Sequence, residues 1–205
     1  KLELRLAQLE KIESCQQNFL EFVTKMWPDF IVGNHHKTVA EKFQKIADGS
    51  LKRLIINMPP RHTKSEFASY LLPAWMMGNK PDMKIVQATH TTELAVSFGR
   101  KIKNLLEREE YLDVFPDAKL SKDSKAAGRW DTALGGMYYA VGVGSNLAGR
   151  GGDLIIIDDP HSEQTAMSAN GFDDAWDWYT GGPRQRLQPG GSIVLVQTRW
   201  SEKDM

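Results

Sequence analysis

Two short stretches hold the residues that can do chemistry. The first, Asn57 to Glu66 ("NMPPRHTKSE"), follows the apolar run "RLII" and contains Lys64-Ser65. A strand, a tight loop and a Lys-Ser pair opening a helix make a phosphate cradle, because the first helical N–H groups are free and carry partial positive charge. Lys64 would reach the β- and γ-phosphates of a nucleotide, and the Ser65 hydroxyl would sit on Mg²⁺. In the pattern G-x-x-x-x-G-K-[ST] the two glycine positions fall on Met58 and Thr63. Pro59 and Pro60 donate no N–H, so the donors must come from Arg61 through Ser65. The expected nucleotide contacts are the loop residues Pro60, Arg61, His62, Thr63, Lys64 and Ser65, with Arg61 as a second cation. Thr63 is β-branched and ill suited to positive φ, so the loop needs a backbone path of its own. Taken alone, the stretch reads equally well as a helix start that happens to carry Lys-Ser.

The second stretch is Asp153 to Pro160, "DLIIIDDP". Apolar residues lead straight into two adjacent carboxylates. Neighbours on a strand point to opposite faces, but that alternation relaxes where the strand ends. Asp158 would hold Mg²⁺, directly or through water, as a Walker B carboxylate does. Asp159 stands where a water-activating carboxylate belongs. Glu is commoner there and one methylene longer, so Asp needs a closer approach or a bridging water. Glu163 is the next candidate for that role. The plain alternative is a pair of acids capping a turn before Pro160.

The elements that must position these groups are legible as alternating strands and helices. Residues 2–26 read as one helix with an apolar stripe through Leu2, Leu6, Leu9, Ile12, Phe19, Phe22 and Val23. A second helix is expected over 37–49, strands over 53–58, 84–90, 153–158 and 192–200, and helices over 64–78, kinked near Pro73, over 91–109 and over 169–181. Residues 110–135 look turn-rich, and 136–144 an edge strand or hairpin. Apolar runs such as "LIII" and "IVLV" suit strands covered on both faces, hence an α/β fold with a mostly parallel sheet flanked by helices. Ligands of such sheets sit at the carboxyl ends of the strands, where Lys64, His90, Asp158, Asp159, Thr198 and Arg199 all fall.

Composition sets outer bounds. The chain has 205 residues, 41% hydrophobic and 25% charged, with zero formal net charge, so charge alone neither favours nor excludes a nucleic acid. Cys15 is the lone cysteine, which excludes an internal disulfide and fits a reducing compartment. No apolar run approaches the roughly 18 residues that span a bilayer, so no membrane partner is expected. The absence of an initial Met and the stop just after an apparent strand, at "RWSEKDM", read as a piece of a longer protein.

Taken in order, "RLIINMPPRHTKSE", "GRGGDLIIIDDPHSEQTA" and "VLVQTRWSEKD" resemble the ATPase domain of the large terminase subunit of tailed bacteriophages, over roughly residues 20–205. Family members commonly have Gly where this chain has Thr63. The resemblance implies a P-loop NTPase fold of the additional-strand (ASCE) type, with a helical lead-in over 1–50 and the ATPase core over 51–205. A downstream nuclease domain is expected outside this chain. It implies ATP as substrate with Mg²⁺, double-stranded DNA as cargo, and the portal protein and small terminase subunit as partners. It also implies a ring of motor subunits, a pentamer during packaging, working at the procapsid portal in the cytoplasm of an infected bacterial host. On this resemblance Arg150, in "LAGRGGD", is the arginine finger acting on a neighbour's ATP, and Thr198 and Arg199 are the coupling motif. Lys64 and Asp159 join Arg150 as the catalytic set, and Ser65 and Asp158 hold the metal. Trp27, Phe30 and above all His36 are expected to frame the adenine.

Other readings stay open. A helicase or translocase of the same fold would also hydrolyse ATP. A nucleotide-binding assembly module would bind it without turnover. A metal-dependent phosphoesterase would draw on Asp158, Asp159 and His161 with His35, His36, His62 or His90, although the histidines have no H-x-H or H-x₃-H spacing. The basic stretches 99–104 and 181–186 could meet phosphate backbone but read more simply as solvated faces, and "WDWY" (176–179) reads as packing.

Overall fold

Six strands form in the computed structural model, which describes residues 2–124, 126–147 and 149–205. They are β1 (Arg53–Asn57), β2 (Lys84–Thr89), β3 (Arg129–Asp131), β4 (Met137–Gly142), β5 (Gly152–Asp158) and β6 (Leu187–Gln197), in one sheet of order β1-β6-β5-β2-β4-β3. All neighbours are parallel except β3 and β4. Residues 136–144, expected as an edge strand or hairpin, thus supply an internal strand, and short β3 forms the edge.

The helices are α1 (Leu2–Gln17), α2 (Phe19–Met26), α3 (Asn34–Ala47), α4 (Leu72–Asn79), α5 (Thr92–Leu106), α6 (Glu109–Val114), α7 (Glu163–Met167) and α8 (Gly171–Gly181). Among the described residues no helix is long and apolar enough to cross a membrane. The helix expected over 2–26 is two helices. Asn18 interrupts it, its Oδ1 accepting from the N–H of Leu20 (2.9 Å) and Glu21 (3.1 Å). The stripe before the break is solvent-facing, with Leu2 87%, Leu6 58% and Leu9 55% exposed. Residues 110–135, expected to be turns, contain α6 and β3.

Alternation along β5 divides the core. Leu154 and Ile156 face a large cluster that includes Phe19, Phe22, Phe43, Phe67, Trp75 and Tyr111 from the helices. Ile155 and Ile157 face a smaller one with Val86, Val141, Ile193 and Leu195, covered in part by Trp178 and Tyr179 of α8. The lead-in packs on the helical segment that follows β1: Phe19, besides its edge contact with Phe43 (5.3 Å) of α3, makes edge contacts with Phe67 (5.5 Å) and Trp75 (5.6 Å). β2, β5 and β6 are buried along their apolar runs, as expected, whereas β1 is an edge strand with Ile55 59% exposed.

The chain leaves β1 through the Met58–Thr63 loop and enters a helical segment whose middle, Glu66–Leu71, is a π-helix running into α4. Pro73 cannot donate to the carbonyl one turn before it. The π-helix lies directly ahead of the proline. Single π turns of this kind recur at functional sites.

Candidate functional site

The loop after β1 and the acids after β5 come together across the end of β6. Lys64 Nζ lies 2.7 Å from Asp159 Oδ2, with the lysine side chain 7% exposed and the aspartate 27%. Ser65 Oγ donates to Asp158 Oδ1 at 3.0 Å. Ser69, one turn further along the π-helix, donates to Asp158 Oδ2 at 2.6 Å and accepts from Gln87 Nε2 of β2 at 3.1 Å. Asp159 has φ 42°, its N–H donates to Val196 O (2.8 Å), and its Oδ1 accepts the N–H of Thr198 (2.7 Å). The chain end of β6 is thereby tied to the second carboxylate.

Neither Ser69 nor Gln87 is singled out by sequence motif. Gln87 was readable as the one amide inside the apolar run "KIVQAT", where a buried polar side chain needs a partner. Ser69 was readable only from its spacing to Ser65.

The loop itself is left-handed at two places that are not glycine, Arg61 (φ 64°) and Thr63 (φ 61°). Alternating hand turns successive N–H groups into one concavity. Arg61 and His62 are exposed, and Lys64 is buried. His62 Nδ1 bonds Pro60 O at 2.9 Å. Thr63 Oγ1 donates to His62 O and lies 2.6 Å from His36 Nε2. His36 Nδ1 accepts the Gly33 N–H at 2.9 Å, reciprocating the start of α3. With Nδ1 accepting, Nε2 carries the proton and donates to Thr63. Burial, with His35 and His62 nearby, pushes the His36 pKa down.

Both His36 nitrogens are therefore spent inside the protein, which leaves no ring edge to read a base. Phe30 packs in tilted and edge contacts with Trp27 (5.1 Å), His36 (4.7 Å) and Phe67 (5.3 Å). Of the expected adenine frame Trp27 is the most exposed, at 36%, Phe30 is partly buried and His36 is buried.

Arg150 stands apart. It precedes β5, at the opposite end of that strand from Asp158. Its guanidinium lies 4.0 Å from the centre of the Tyr139 ring, on the face covered by α8. Arg199 turns to Asp204, with Nε to Oδ2 at 2.9 Å, and to Ser201 O, so only Thr198 of the expected coupling pair touches the acids. Lys101 pairs with Glu66 at 2.6 Å, which occupies one cation of the 99–104 stretch.

The donor set fits Mg²⁺. A hydroxyl and a carboxylate converge at Ser65 and Asp158, and hard oxygens with one or two carboxylates, completed by substrate phosphate, are what Mg²⁺ takes. Among the described residues no three His, Cys, Asp or Glu side chains converge on a metal position. His161 is buried against Phe172 with both ring nitrogens unpartnered, on neither acid.

Burial pushes the Asp158 pKa up to about 6, and the charge on Asp159 adds to this; the Ser69 and Ser65 hydroxyls and Lys64 oppose it. A raised carboxyl pKa means that the folded chain keeps a proton that the unfolded chain releases from about pH 3.8 upward. The contribution to stability is complete below that value and is lost as pH rises through about 6, an effect on the order of 3 kcal/mol at most. Mg²⁺ needs the ionised form, so its apparent affinity should fall about tenfold per pH unit below that point. In urea unfolding, Mg²⁺ should raise the wild-type midpoint at pH 8 and not at pH 5. Asp158→Asn should remove both the Mg²⁺ effect and much of the pH slope. An equal Mg²⁺ shift in wild type and variant would place the metal elsewhere.

No protein family matches the chain, and no curated protein is similar to it. Among solved structures, the crystal structure of the HK97 bacteriophage large terminase is similar over 83% of this chain, with a TM-score of 0.45 and 13% identity. The chain corresponds to 34% of that one, about a third of its length. The likeness is one of chain path at low identity; what the site can do follows from its own side chains.

Proposed function

We propose that this chain is the ATPase motor domain of a viral DNA-packaging terminase, hydrolysing ATP to drive double-stranded DNA into a procapsid. The observation that carries the ATPase part is the meeting of Lys64-Ser65 with Asp158-Asp159. β6 lies between β1 and β5, as an additional-strand P-loop fold requires, with the phosphate loop on one outer strand and the acidic pair on the other. The ordered motif series supports the terminase part, and with it DNA, portal and small subunit as partners. The lead-in over 1–50 and the core over 51–205 act as one motor unit.

The phosphates lie along the N–H groups of Arg61 to Ser65. A γ-phosphate oxygen competes with Asp159 for Lys64. When Lys64 turns to the phosphate, Asp159 is left as a base beside the γ-phosphorus. Water attacks phosphorus, its proton passes to Asp159, and the bond to the bridging oxygen of ADP breaks. Ser65 and Asp158 would hold Mg²⁺, which would supply charge neutralisation at the phosphates. Thr198, bonded through its amide to Asp159, senses the change and passes it to the end of β6.

Arg150, at the far end of β5, serves a neighbouring subunit. Phosphate release should therefore rise more steeply than linearly with protein concentration. Arg150→Ala should lose that rise, roughly 10³-fold at saturation, while retaining the low rate of the dilute protein. A linear dependence shared by both proteins would remove the finger from the scheme. Clear ATP binding without turnover at any concentration, with DNA present, would assign the assembly module instead.

A further inference from the structure

A phosphate loop of the usual form uses glycine where the backbone must turn left-handed, because glycine has no Cβ to clash. Here Thr63 takes φ 61°, a conformation that a β-branched residue holds only when its surroundings enforce it. The surroundings are unusually specific. His36 is 7% exposed and sits on the first turn of α3. Its ring is fixed from one side by the Gly33 N–H on Nδ1, and boxed by Phe30 at 4.7 Å, Phe67 at 5.0 Å and His35 at 3.8 Å. Its remaining nitrogen is spent on Thr63 Oγ1, which in turn donates to His62 O. The relay Gly33–His36–Thr63–His62 has a donor and an acceptor at every step. The Thr63 carbonyl accepts the Phe67 N–H at 2.9 Å, so the same residue also begins the helical segment carrying Lys64, Ser65 and Ser69.

We propose that His36 is a positioning residue: its ring latches Thr63 in the left-handed conformation and so sets the path of the Arg61–Ser65 loop, where a glycine would take that path unaided. The proposal rests on reading the loop as a phosphate site. It gives His36 a role through Thr63, distinct from contact with a base. It also accounts for a threonine at this left-handed position, because the side chain that makes the conformation costly is the one that carries the latch.

The test is a double-mutant cycle on the whole chain: wild type, His36→Ala, Thr63→Gly and the two together, each titrated with Mg-ATP by calorimetry and unfolded in urea. His36→Ala should weaken Mg-ATP binding about tenfold in the Thr63 background, which corresponds to a coupling within the usual range for touching residues. Whatever affinity Thr63→Gly has by itself, adding His36→Ala to it should change that affinity by no more than about threefold. The rescue by glycine is the readout that a merely structural histidine would not produce. A loss of equal size in both backgrounds would mean direct contact between His36 and the nucleotide, and would overturn the latch. No loss in either background would overturn it as well.

If the wild type binds no Mg-ATP, the phosphate reading fails by itself, and the urea midpoints judge the latch alone. A midpoint loss that Thr63→Gly abolishes supports it, and one that Thr63→Gly leaves intact overturns it. Should His36→Ala not fold, a folded double variant supports the latch, and an unfolded one overturns it.

Discussion

Replacing Lys64 by alanine should bring ATP turnover down by about 10²–10³ or more, to the detection floor, and weaken Mg-ATP binding roughly tenfold to a hundredfold. The size follows from where the ammonium sits. Its side chain is 7% exposed, so its interactions are little screened by solvent, and it lies at the junction of the loop and the acids. A charge in that place stabilises a transferring phosphoryl group more in the transition state than in the ground state, so kcat falls further than affinity. Lys64→Arg should not restore the rate, because the planar guanidinium is larger and cannot occupy a buried point-charge position without moving the Ser65 and Ser69 turn. The variant should still fold: Asp159, which loses its partner, is 27% exposed and can be solvated. Urea unfolding run beside the kinetics separates the two effects. Wild-type phosphate release from Lys64→Ala would remove the loop from the chemistry altogether.

How much of this was legible before the structure depends on how local each cause is. β2, β5 and β6 were readable because apolar side chains on consecutive residues leave few alternatives to a strand covered on both faces. Asp158 and Asp159 were readable because two adjacent carboxylates after such a strand are hard to place elsewhere. Thr91 as the start of α5 was readable too, and its Oγ1 accepts the Leu94 N–H at 3.3 Å. The break at Asn18 was also local, since Asn18 with Glu21 at the third helical position has the spacing of a capping box, but the continuing apolar stripe obscured it. The burial of that stripe was not local at all. Leu2, Leu6 and Leu9 keep helical spacing yet find no surface to cover them, so periodicity fixed the helix and not its neighbour.

The site divides in the same way. Lys64, Ser65, Asp158 and Asp159 announce themselves by type and order, and the sheet brings them together. His36 was expected beside the base because a histidine at a helix start near aromatics is a common polar tip. Its hydrogen-bonding depends on Gly33 at one nitrogen and on the backbone hand of Thr63 at the other, and that hand is set by the packing of α3 against the loop. Arg199 was expected to form the coupling motif with Thr198. It is drawn off by Asp204, whose carboxylate is 1% exposed and also accepts the N–H of Trp200 and Ser201. A turn that closes on its own arginine outcompetes a more distant partner, because the chain entropy lost in closing it is small.

Asp159→Asn should retain Mg-ATP binding and lose hydrolysis by about 10²–10⁴-fold. Asparagine is the informative replacement. It tolerates the left-handed φ of 42° that this position requires, and its amide oxygen can still accept the Thr198 N–H, so the backbone has no reason to move. What it cannot do is take a proton from water or hold the charge of Lys64. Binding should even tighten modestly, because Lys64 no longer has to leave a carboxylate at 2.7 Å to reach a phosphate. Asp159→Ala should be as inactive but less stable, since it places a Cβ-bearing residue without a local hydrogen bond at positive φ and leaves the Thr198 amide unpaired. The comparison therefore assigns two roles to one side chain: the difference between wild type and Asn measures the base, and the difference between Asn and Ala measures the tie to β6. If that tie relays hydrolysis, Asn should keep the nucleotide-dependent change in protection of the Thr198 amide from hydrogen exchange, and Ala should lose it. Single-turnover hydrolysis by Asp159→Asn at the wild-type rate would instead move the base to Glu163, which is exposed at the start of α7.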